Sequence, residues 1–306
     1  MRRLDLHIIP LALVTAASLF ASAPAFPQTV STFASGVTAA RSLAVDSSGR
    51  LYCSQRTLGA IVRCTPPSNV MTTFATGLGD PIDMVFDDSG NLFVVDFDNG
   101  SSNGHIYKIT PAGTKTIYKS IVGYGPLSRD AAGNLYVGRP FFQSILKITA
   151  AGDTSTYVPF VGDAGARLSM VHMDSDGTLY AGTEHGFLYK IGPGGSPVTT
   201  VCSGLTNVFG FERAGDGNWY VSTYAGDRIW QVTPGGIATP FSGAEGVTAL
   251  VNGPVVTARF NRPVGMVTLG GQMYIADYFN NAIRAIDWPT PATPGSWGGV
   301  KARYRR

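Results

Sequence analysis

A glutamate and a histidine stand side by side in this sequence, at Glu184 and His185. A carboxylate beside an imidazole can pass protons to and from a substrate, and both side chains can bind a catalytic metal ion. Glu184 and His185 are therefore the candidate catalytic residues. The alternative is that the pair is an ordinary polar turn, because it stands in a short connecting segment.

Two aspartates at alternate positions form a second candidate site. Asp96 and Asp98 precede Gly100, and this alternation can aim carboxylate oxygens at one Ca²⁺ ion. The segment lacks the bidentate glutamate of a full EF-hand loop. The alternative is an enlarged loop built from Asx and glycine turns. The sequence identifies no cofactor; the candidate that it leaves open is Ca²⁺, held by Asp96 and Asp98.

The sequence contains three cysteines, two of which flank a predicted hairpin. A hairpin turn centred on Leu58 and Gly59 places Cys53 and Cys64 opposite each other, close enough for a disulfide. A shift of register separates them. We expect a Cys53–Cys64 disulfide if the turn is centred there, and we expect Cys202 to be a small buried hydrophobe.

A repeated unit positions these residues. A glycine turn followed by an aromatic residue on a strand occurs six times, the aromatic residues being Tyr52, Phe93, Tyr136, Tyr180, Tyr220 and Tyr274. Successive turn glycines are 41, 43, 44, 40 and 54 residues apart. A period near 40 residues, with β-branched and aromatic strands, is typical of one four-stranded sheet per repeat. The sequence therefore predicts an all-β, six-bladed β-propeller.

The sixth repeat lacks a fourth strand of its own. The proline-rich residues 289–294 follow its third strand, and prolines are poor material for a central strand. Residues 30–34 (VSTFA) match residues 71–75 (MTTFA), which form the predicted outer strand of the first blade. We predict that residues 29–34 become the outer strand of the sixth blade, which closes the ring and protects a sheet edge.

The two ends of the sequence differ from its body. Residues 1–25 combine two arginines, a short apolar stretch and a small-residue cleavage site, which predicts a signal peptide and an exported, periplasmic or secreted protein. The alternative is an uncleaved membrane anchor. Residues 26–288 are predicted to form the propeller, and residues 289–306 a flexible, proline-rich, basic tail.

The net charge of +3 comes from the ends of the chain. Without Asp5 and the six basic residues at the ends, 17 basic and 19 acidic residues remain, a net charge of −2. Such a body has no basic field for nucleic acid. The expected partner is a small molecule, a protein or a peptide. We expect a monomer, with no membrane span once the signal peptide is removed.

The sixth repeat has a distinctive order of residue types. They are residues 243–246 (GAEG), 258–260 (ARF) and 262–265 (RPVG) in the inter-blade loop, and residues 274–277 (YIAD) and 283–286 (IRAI) in a strand pair. In these positions the repeat resembles the NHL-repeat family. The resemblance implies a six-bladed propeller. Members of the family include bacterial extracytoplasmic proteins, protein- or RNA-binding propellers and metal-dependent lyases.

The chain is also distantly similar to two groups of propeller enzymes. Similarity to the gluconolactonase and regucalcin group implies Ca²⁺ held by acidic and amide residues where inner strands begin. Those positions contain one carboxylate in this chain, since they are occupied by Ser42, Asp83, Pro126, Met170, Gly210 and Gly265. Similarity to streptogramin B lyases implies His and Glu near a metal, for which Glu184 and His185 are the candidates.

Binding residues are expected on the propeller face that carries the longer loops. The candidates for that face are Arg41, Asp83, Arg139, Arg167, Asn207, Tyr224, Arg262 and Tyr278. Because complete catalytic sets are missing, the sequence favours an exported NHL-repeat propeller that acts as a ligand- or protein-binding or scaffold module. The alternative is a metal-dependent hydrolase or lyase of the gluconolactonase or streptogramin B lyase kind.

Overall fold

The computed structural model describes residues 28–97, 103–123, 125–162, 165 and 167–287. The predicted signal peptide (1–25) and tail (289–306) lie outside the described residues, and so does Asp98. Within these ranges no helix has the length and apolar character needed to cross a bilayer.

Six antiparallel sheets form the ring of a β-propeller, as predicted. In each blade the strands pair in order from the inner strand at the central axis to the outer strand. The strands of blades 1 to 3 are Ala40–Val45, Leu51–Gln55, Ala60–Cys64 and Thr72–Ala75; Pro81–Phe86, Leu92–Phe97, Asn103–Ile109 and Lys115–Val122; and Leu127–Arg129, Leu135–Arg139, Ser144–Ile148 and Thr154–Val158.

Blades 4 to 6 repeat this order, and blade 6 takes its outer strand from the start of the described chain. Their strands are Leu168–Met173, Leu179–Thr183, Leu188–Ile191 and Val198–Cys202; Val208–Arg213, Trp219–Thr223, Arg228–Val232 and Ala238–Gly243; and Pro263–Leu269, Gln272–Asp277, Ala282–Asp287 and Thr29–Ser35, with Gly253–Pro254 as a fifth strand. Short 3₁₀ turns occupy Arg56–Leu58, Pro140–Phe142, Pro193–Gly195 and Tyr278–Asn280.

In blades 1 to 5 the repeated glycine turn is held by its own aspartate. In blade 1 the Asp46 carboxylate accepts the backbone N–H groups of Ser48 and Arg50, both at 3.0 Å, while Gly49 takes the left-handed conformation (φ 74°) that suits glycine. The Tyr52 hydroxyl donates back to Asp46 at 3.1 Å. The same bond ties the aromatic residue to the turn in blade 3, from Tyr136 to Asp130 at 3.0 Å, and in blade 5, from Tyr220 to Asp216 at 2.8 Å.

The ring closes through its first strand, as predicted for residues 29–34. Thr29–Ser35 pairs antiparallel with Ala282–Asp287, and Val30 lies opposite Ile286. Both of these side chains are buried in the core of blade 6. The other edge of the strand is covered by Gly253–Pro254, a short strand that the sequence analysis missed. Covering this edge removes a template for pairing with other chains.

The predicted disulfide is wrong, because the hairpin turns one residue earlier than expected. Gln55 pairs with Ala60, so Cys53 lies opposite Val62 and Cys64 lies opposite Leu51. The cysteines are thus diagonal neighbours, about 7–8 Å apart, beyond the reach of a disulfide. Both are buried free thiols, and burial raises the pKa of Cys53 to about 12 and that of Cys64 to about 11. Cys202 is half-buried.

Candidate functional site

The upper face of the propeller carries the loops from each second strand to its third strand and from each outer strand to the next blade. It contains an open cavity of about 290 Å³ above the axis. A larger cavity of about 350 Å³ fills the lower channel between the inner strands. The space between them is narrow, with a volume of only about 40 Å³. The two cavities are therefore separate compartments for a ligand.

The floor of the upper cavity is formed by Arg41, together with Ile82, Pro126 and Phe209, since these four residues line both the upper cavity and the narrow space beneath it. Arg41 is the second residue of Ala40–Val45, the inner strand of blade 1. Its guanidinium carbon lies 4.6 Å from the ring centre of Phe209 in blade 5, a cation–π contact. The arginine thus reaches across the axis from one blade toward another.

Blades 6 and 1 approach each other closely at the backbone of Arg41. A Cβ atom on Gly265 would lie 2.6 Å from the Arg41 carbonyl oxygen, so only glycine fits there. Burial lowers the pKa of Arg41 and repulsion from Arg56 lowers it further, while attraction to Asp83 and Asp80 opposes this change. Across the described part of the chain, the Arg41 guanidinium has no hydrogen bond and no ion pair. Arg41 is therefore a cation with free donors at the cavity floor.

Asp83 lies below this floor, where its carboxylate accepts hydrogen bonds from the surrounding blades. One carboxylate oxygen accepts the Ser42 hydroxyl at 2.7 Å and the Met84 N–H at 2.9 Å, and the other accepts the Leu127 N–H at 2.8 Å. These bonds join blades 1, 2 and 3. Burial raises the pKa of Asp83, while the hydrogen bonds oppose that rise. Asp83 lines the two lower spaces but not the upper cavity.

Arg56 lines the upper cavity with its charge already balanced. Its Nε and Nη2 atoms lie 2.6 and 2.7 Å from the two carboxylate oxygens of Asp80, a bidentate pair. This bond raises the pKa of Arg56. Asp96 in turn accepts the backbone N–H groups of Gly79 and Asp80, both at 2.8 Å. Both oxygens of Asp96 are thus engaged with the backbone, and the calcium site with Asp98 stays a prediction.

The cavity wall opposite Arg56 contains Arg167, Glu184, Asn207 and Tyr224. The Arg167 guanidinium lies 4.7 Å from the ring centre of Phe141. Asn207 adopts a left-handed conformation (φ 59°), and its Oδ1 atom is enclosed without a hydrogen-bond partner. The backbone carbonyl of Arg167 accepts the Glu184 N–H at 2.9 Å. The wall is therefore polar, with aromatic rings beside it.

Other predicted residues lie outside the cavity. The Arg139 guanidinium donates twice to the Ser144 hydroxyl, at 3.0 and 2.7 Å, and lies against Phe142. Arg262 donates to the Tyr224 hydroxyl at 2.9 Å and so supports the wall from behind. Tyr278 is buried. None of these three residues lines the cavity.

The two residues of the candidate catalytic pair differ in their position relative to the upper cavity. Glu184 lines the upper cavity, whereas its neighbour His185 does not. In the described part of the chain, no group of three or more His, Cys, Asp or Glu side chains is arranged to hold a metal ion. An acid–base role for Glu184 and His185 stays a prediction.

The charged and aromatic cavity residues that the sequence analysis missed are Arg56, Phe141 and Phe209. A signal for Arg56 exists, because it directly follows the second strand of its blade, as Glu184, Tyr224 and Tyr278 do in theirs. Phe209 and Arg41 each stand at or near the start of an inner strand. No sequence pattern shows that these two residues meet across the axis.

The lower channel holds a second set of polar side chains. Glu212 in blade 5 accepts the Thr268 hydroxyl at 2.7 Å. Its burial in the channel wall raises its pKa to about 7. His172, on the inner strand of blade 4, has its ring 4.9 Å from that of Phe211, and burial lowers its pKa. Both titratable groups line the lower cavity.

No protein-family model and no curated protein matches this sequence. Solved structures share its fold. An auxiliary nutrient binding protein from Bacteroides thetaiotaomicron is similar at 17% identity with a TM-score of 0.71, over 85% of this chain and 76% of that one. A virginiamycin B lyase from Staphylococcus aureus is similar at 14% identity with a TM-score of 0.58, over 85% and 98%.

A third similar structure is a PQQ-bound aldose sugar dehydrogenase from Streptomyces coelicolor, at 13% identity with a TM-score of 0.60, over 85% of this chain and 98% of that one. At such low identity these similarities show the propeller fold and not a shared activity. The resemblance to NHL-repeat proteins stays a prediction. The chain is a six-bladed β-propeller whose structural relatives include both binding proteins and enzymes.

Proposed function

We propose that the protein is an exported binding module that takes a small molecule into the upper cavity. One observation carries this proposal: the Arg41 guanidinium forms the cavity floor, is desolvated, rests on the Phe209 ring, and has no hydrogen-bond or ion-pair partner among the described residues. A buried charge without a partner is costly, so a ligand that engages it gains binding energy at this point.

Two further features support a small-molecule site. The cavity volume of about 290 Å³ is close to the lower limit of ordinary ligand pockets. Its lining mixes aromatic rings with a few polar groups, which is the usual composition of such pockets. The similar structure from Bacteroides thetaiotaomicron is named as a nutrient binding protein. The narrow space beneath Arg41 favours binding over passage through the channel.

The first test is a thermal-shift screen with neutral, cationic and anionic small molecules, because a ligand that binds the folded state raises its melting temperature. Hits are then titrated by calorimetry against Phe141→Ala, which removes an exposed ring that lines the cavity. We expect this substitution to weaken binding by about fivefold or more.

Phe160→Ala is the matched control, since Phe160 is similarly exposed (51%, against 58% for Phe141) and does not line the cavity. It should leave the affinity unchanged. The proposal fails if no class of small molecule binds, or if both substitutions weaken binding equally.

A further inference from the structure

The upper cavity is rich in hydrogen-bond donors. Arg41 and Arg167 each lie over an aromatic ring, and neither has a hydrogen bond or an ion pair within the described residues. The Tyr224 hydroxyl accepts a bond from Arg262, so its own proton remains available. Asn207 also lines the cavity, and its Oδ1 atom is enclosed by protein without a hydrogen-bond partner.

Acceptors are scarce in the same cavity. Glu184 is the one carboxylate in the described lining, and Arg56 is neutralised by Asp80. Among the side chains that line the cavity, Arg41 and Arg167 therefore face a single opposing charge, which leaves about one net positive charge in the lining. The buried Asp83 attracts Arg41 from below the cavity floor. An anionic group on the ligand would balance the net charge of the lining, and a neutral or cationic ligand would not.

The charge balance also selects among anions. A carboxylate carries one negative charge, and its planar oxygens match the fork of a guanidinium. A phosphate monoester carries a charge of about −1.5 to −2 at neutral pH, more than this lining balances. Glu184 can accept hydrogen bonds from hydroxyl groups on the same ligand, and the rings of Phe141 and Phe209 can contact its apolar faces.

We infer that the ligand is a small sugar acid, a hydroxylated carboxylic acid whose carboxylate binds Arg41 and Arg167. The inference rests on the proposed function, because it names the ligand class of the same cavity. It assigns Arg41 the central contact, at the cavity floor. It assigns Glu184 a role in binding hydroxyl groups, distinct from the acid–base role suggested by its neighbour His185.

The experiment is calorimetric titration of the full folded protein with D-galacturonate, digalacturonate, D-glucose and D-glucosamine at low ionic strength. We expect at least one of the two acids to bind about tenfold or more tightly than glucose, and glucosamine to bind most weakly. Added salt should weaken binding of the acid and leave the affinity for glucose unchanged, since salt screens charge interactions.

Substitutions locate the carboxylate. Arg41→Gln should weaken binding of the acid by about 10- to 100-fold. Arg41→Lys should weaken it less, because lysine keeps the positive charge but loses the paired N–H donors of the guanidinium. Arg167→Gln should weaken binding of the acid about tenfold. Because Arg167 is exposed, this variant tests the inference even if an Arg41 variant fails to fold. Arg139→Gln is the matched control: it removes one positive charge, yet Arg139 bonds to Ser144 and does not line the cavity.

The inference is overturned if glucose or glucosamine binds as tightly as the acids. It is also overturned if Arg139→Gln weakens binding of the acid as much as Arg41→Gln does, since the loss would then come from the overall charge of the protein and not from a contact with Arg41. If only ligands of another class bind, in a manner sensitive to Phe141→Ala, this inference fails while the proposed function stands. If no small molecule binds at all, both fail.

Discussion

At the scale of single residues, charge alone does not show which groups serve a ligand. Asp83 and Arg41 both stand near the start of an inner strand, yet the Asp83 carboxylate accepts three hydrogen bonds within the fold, whereas the Arg41 guanidinium makes none to the residues that the structure describes. The difference arises from where each side chain ends relative to the axis. A charged residue becomes a binding group when the surrounding fold leaves its hydrogen bonds unmade.

Glu212 provides a test at this scale. Burial raises its pKa from the ordinary 4.5 to about 7. Between those values the folded protein holds a proton that the unfolded chain has released, so the free energy of unfolding falls as the pH rises. Glu212→Gln stays neutral. We expect this variant to match the wild type at about pH 4 and to be more stable by about 1–2 kcal/mol at about pH 8, as measured by urea denaturation.

The expected gain in the free energy of unfolding is smaller than the full pKa change would give, because the Glu212 side chain is half-buried and partly solvated. Glu245→Gln, at an exposed position, is the control and should change stability equally at the two pH values. An equal effect of Glu212→Gln at both pH values would show that Glu212 ionises freely in the folded protein.

The candidate site was only partly predictable from these residues. Arg41, Arg167, Glu184, Asn207 and Tyr224 were placed on the loop-bearing face by their positions next to strand ends, which the repeat defines. The pairing of Arg56 with Asp80 and the contact of Arg41 with Phe209 could not be predicted, because each joins different loops or blades. Such contacts depend on the distance between blades across the axis, which local spacing does not encode.

At the scale of elements, one buried arginine organises the long loop before blade 6. Arg284 and Asp277 are fully buried and lie 2.9 Å apart. Arg284 also donates to the carbonyl oxygens of Arg259 and Val251 at 2.9 and 2.8 Å, and to Asn252 at 2.7 Å. The loop is thus tied to the third strand of its own blade by side-chain bonds rather than by an extended ladder.

Replacing this arginine should destabilise the fold strongly. Arg284→Met leaves the buried Asp277 charge without its cation and the loop carbonyls without donors. We expect the free energy of unfolding to fall by about 3–5 kcal/mol. Arg50→Met, which breaks a partly exposed pair with Asp46, should cost about 1 kcal/mol or less. Urea titrations measure both, and comparable losses would argue against a special role for the buried pair.

At the scale of the whole molecule, the ring was predictable because the repeat appears six times, and each copy supports the others. The closure by Thr29–Ser35 was predictable for the same reason, since this strand has a sequence like the outer strand of blade 1. The register of the first hairpin was not. A 3₁₀ turn at Arg56–Leu58, followed by left-handed Gly59, moves the turn by one residue and separates the cysteines.

The closing strand can be tested with two adjacent substitutions. Val30 is buried against the core of blade 6, whereas Ser31 points outward. Val30→Asp places a charge in that core and should lower the free energy of unfolding by about 3 kcal/mol or more, while Ser31→Asp should have little effect. Thermal melts followed by circular dichroism compare the two. If both variants melt like the wild type, the strand does not hold the ring closed.

The pairing of Thr29–Ser35 with Ala282–Asp287 sets the order in which the molecule can be finished. During synthesis the first of these segments leaves the ribosome long before the second, and Ser31 must wait for Ala285, 254 residues later in the chain. Contacts so distant in sequence form slowly, because loop closure costs entropy before any contact is gained. A nascent chain truncated before residue 282 should therefore lack the native latch, however well its earlier blades have formed.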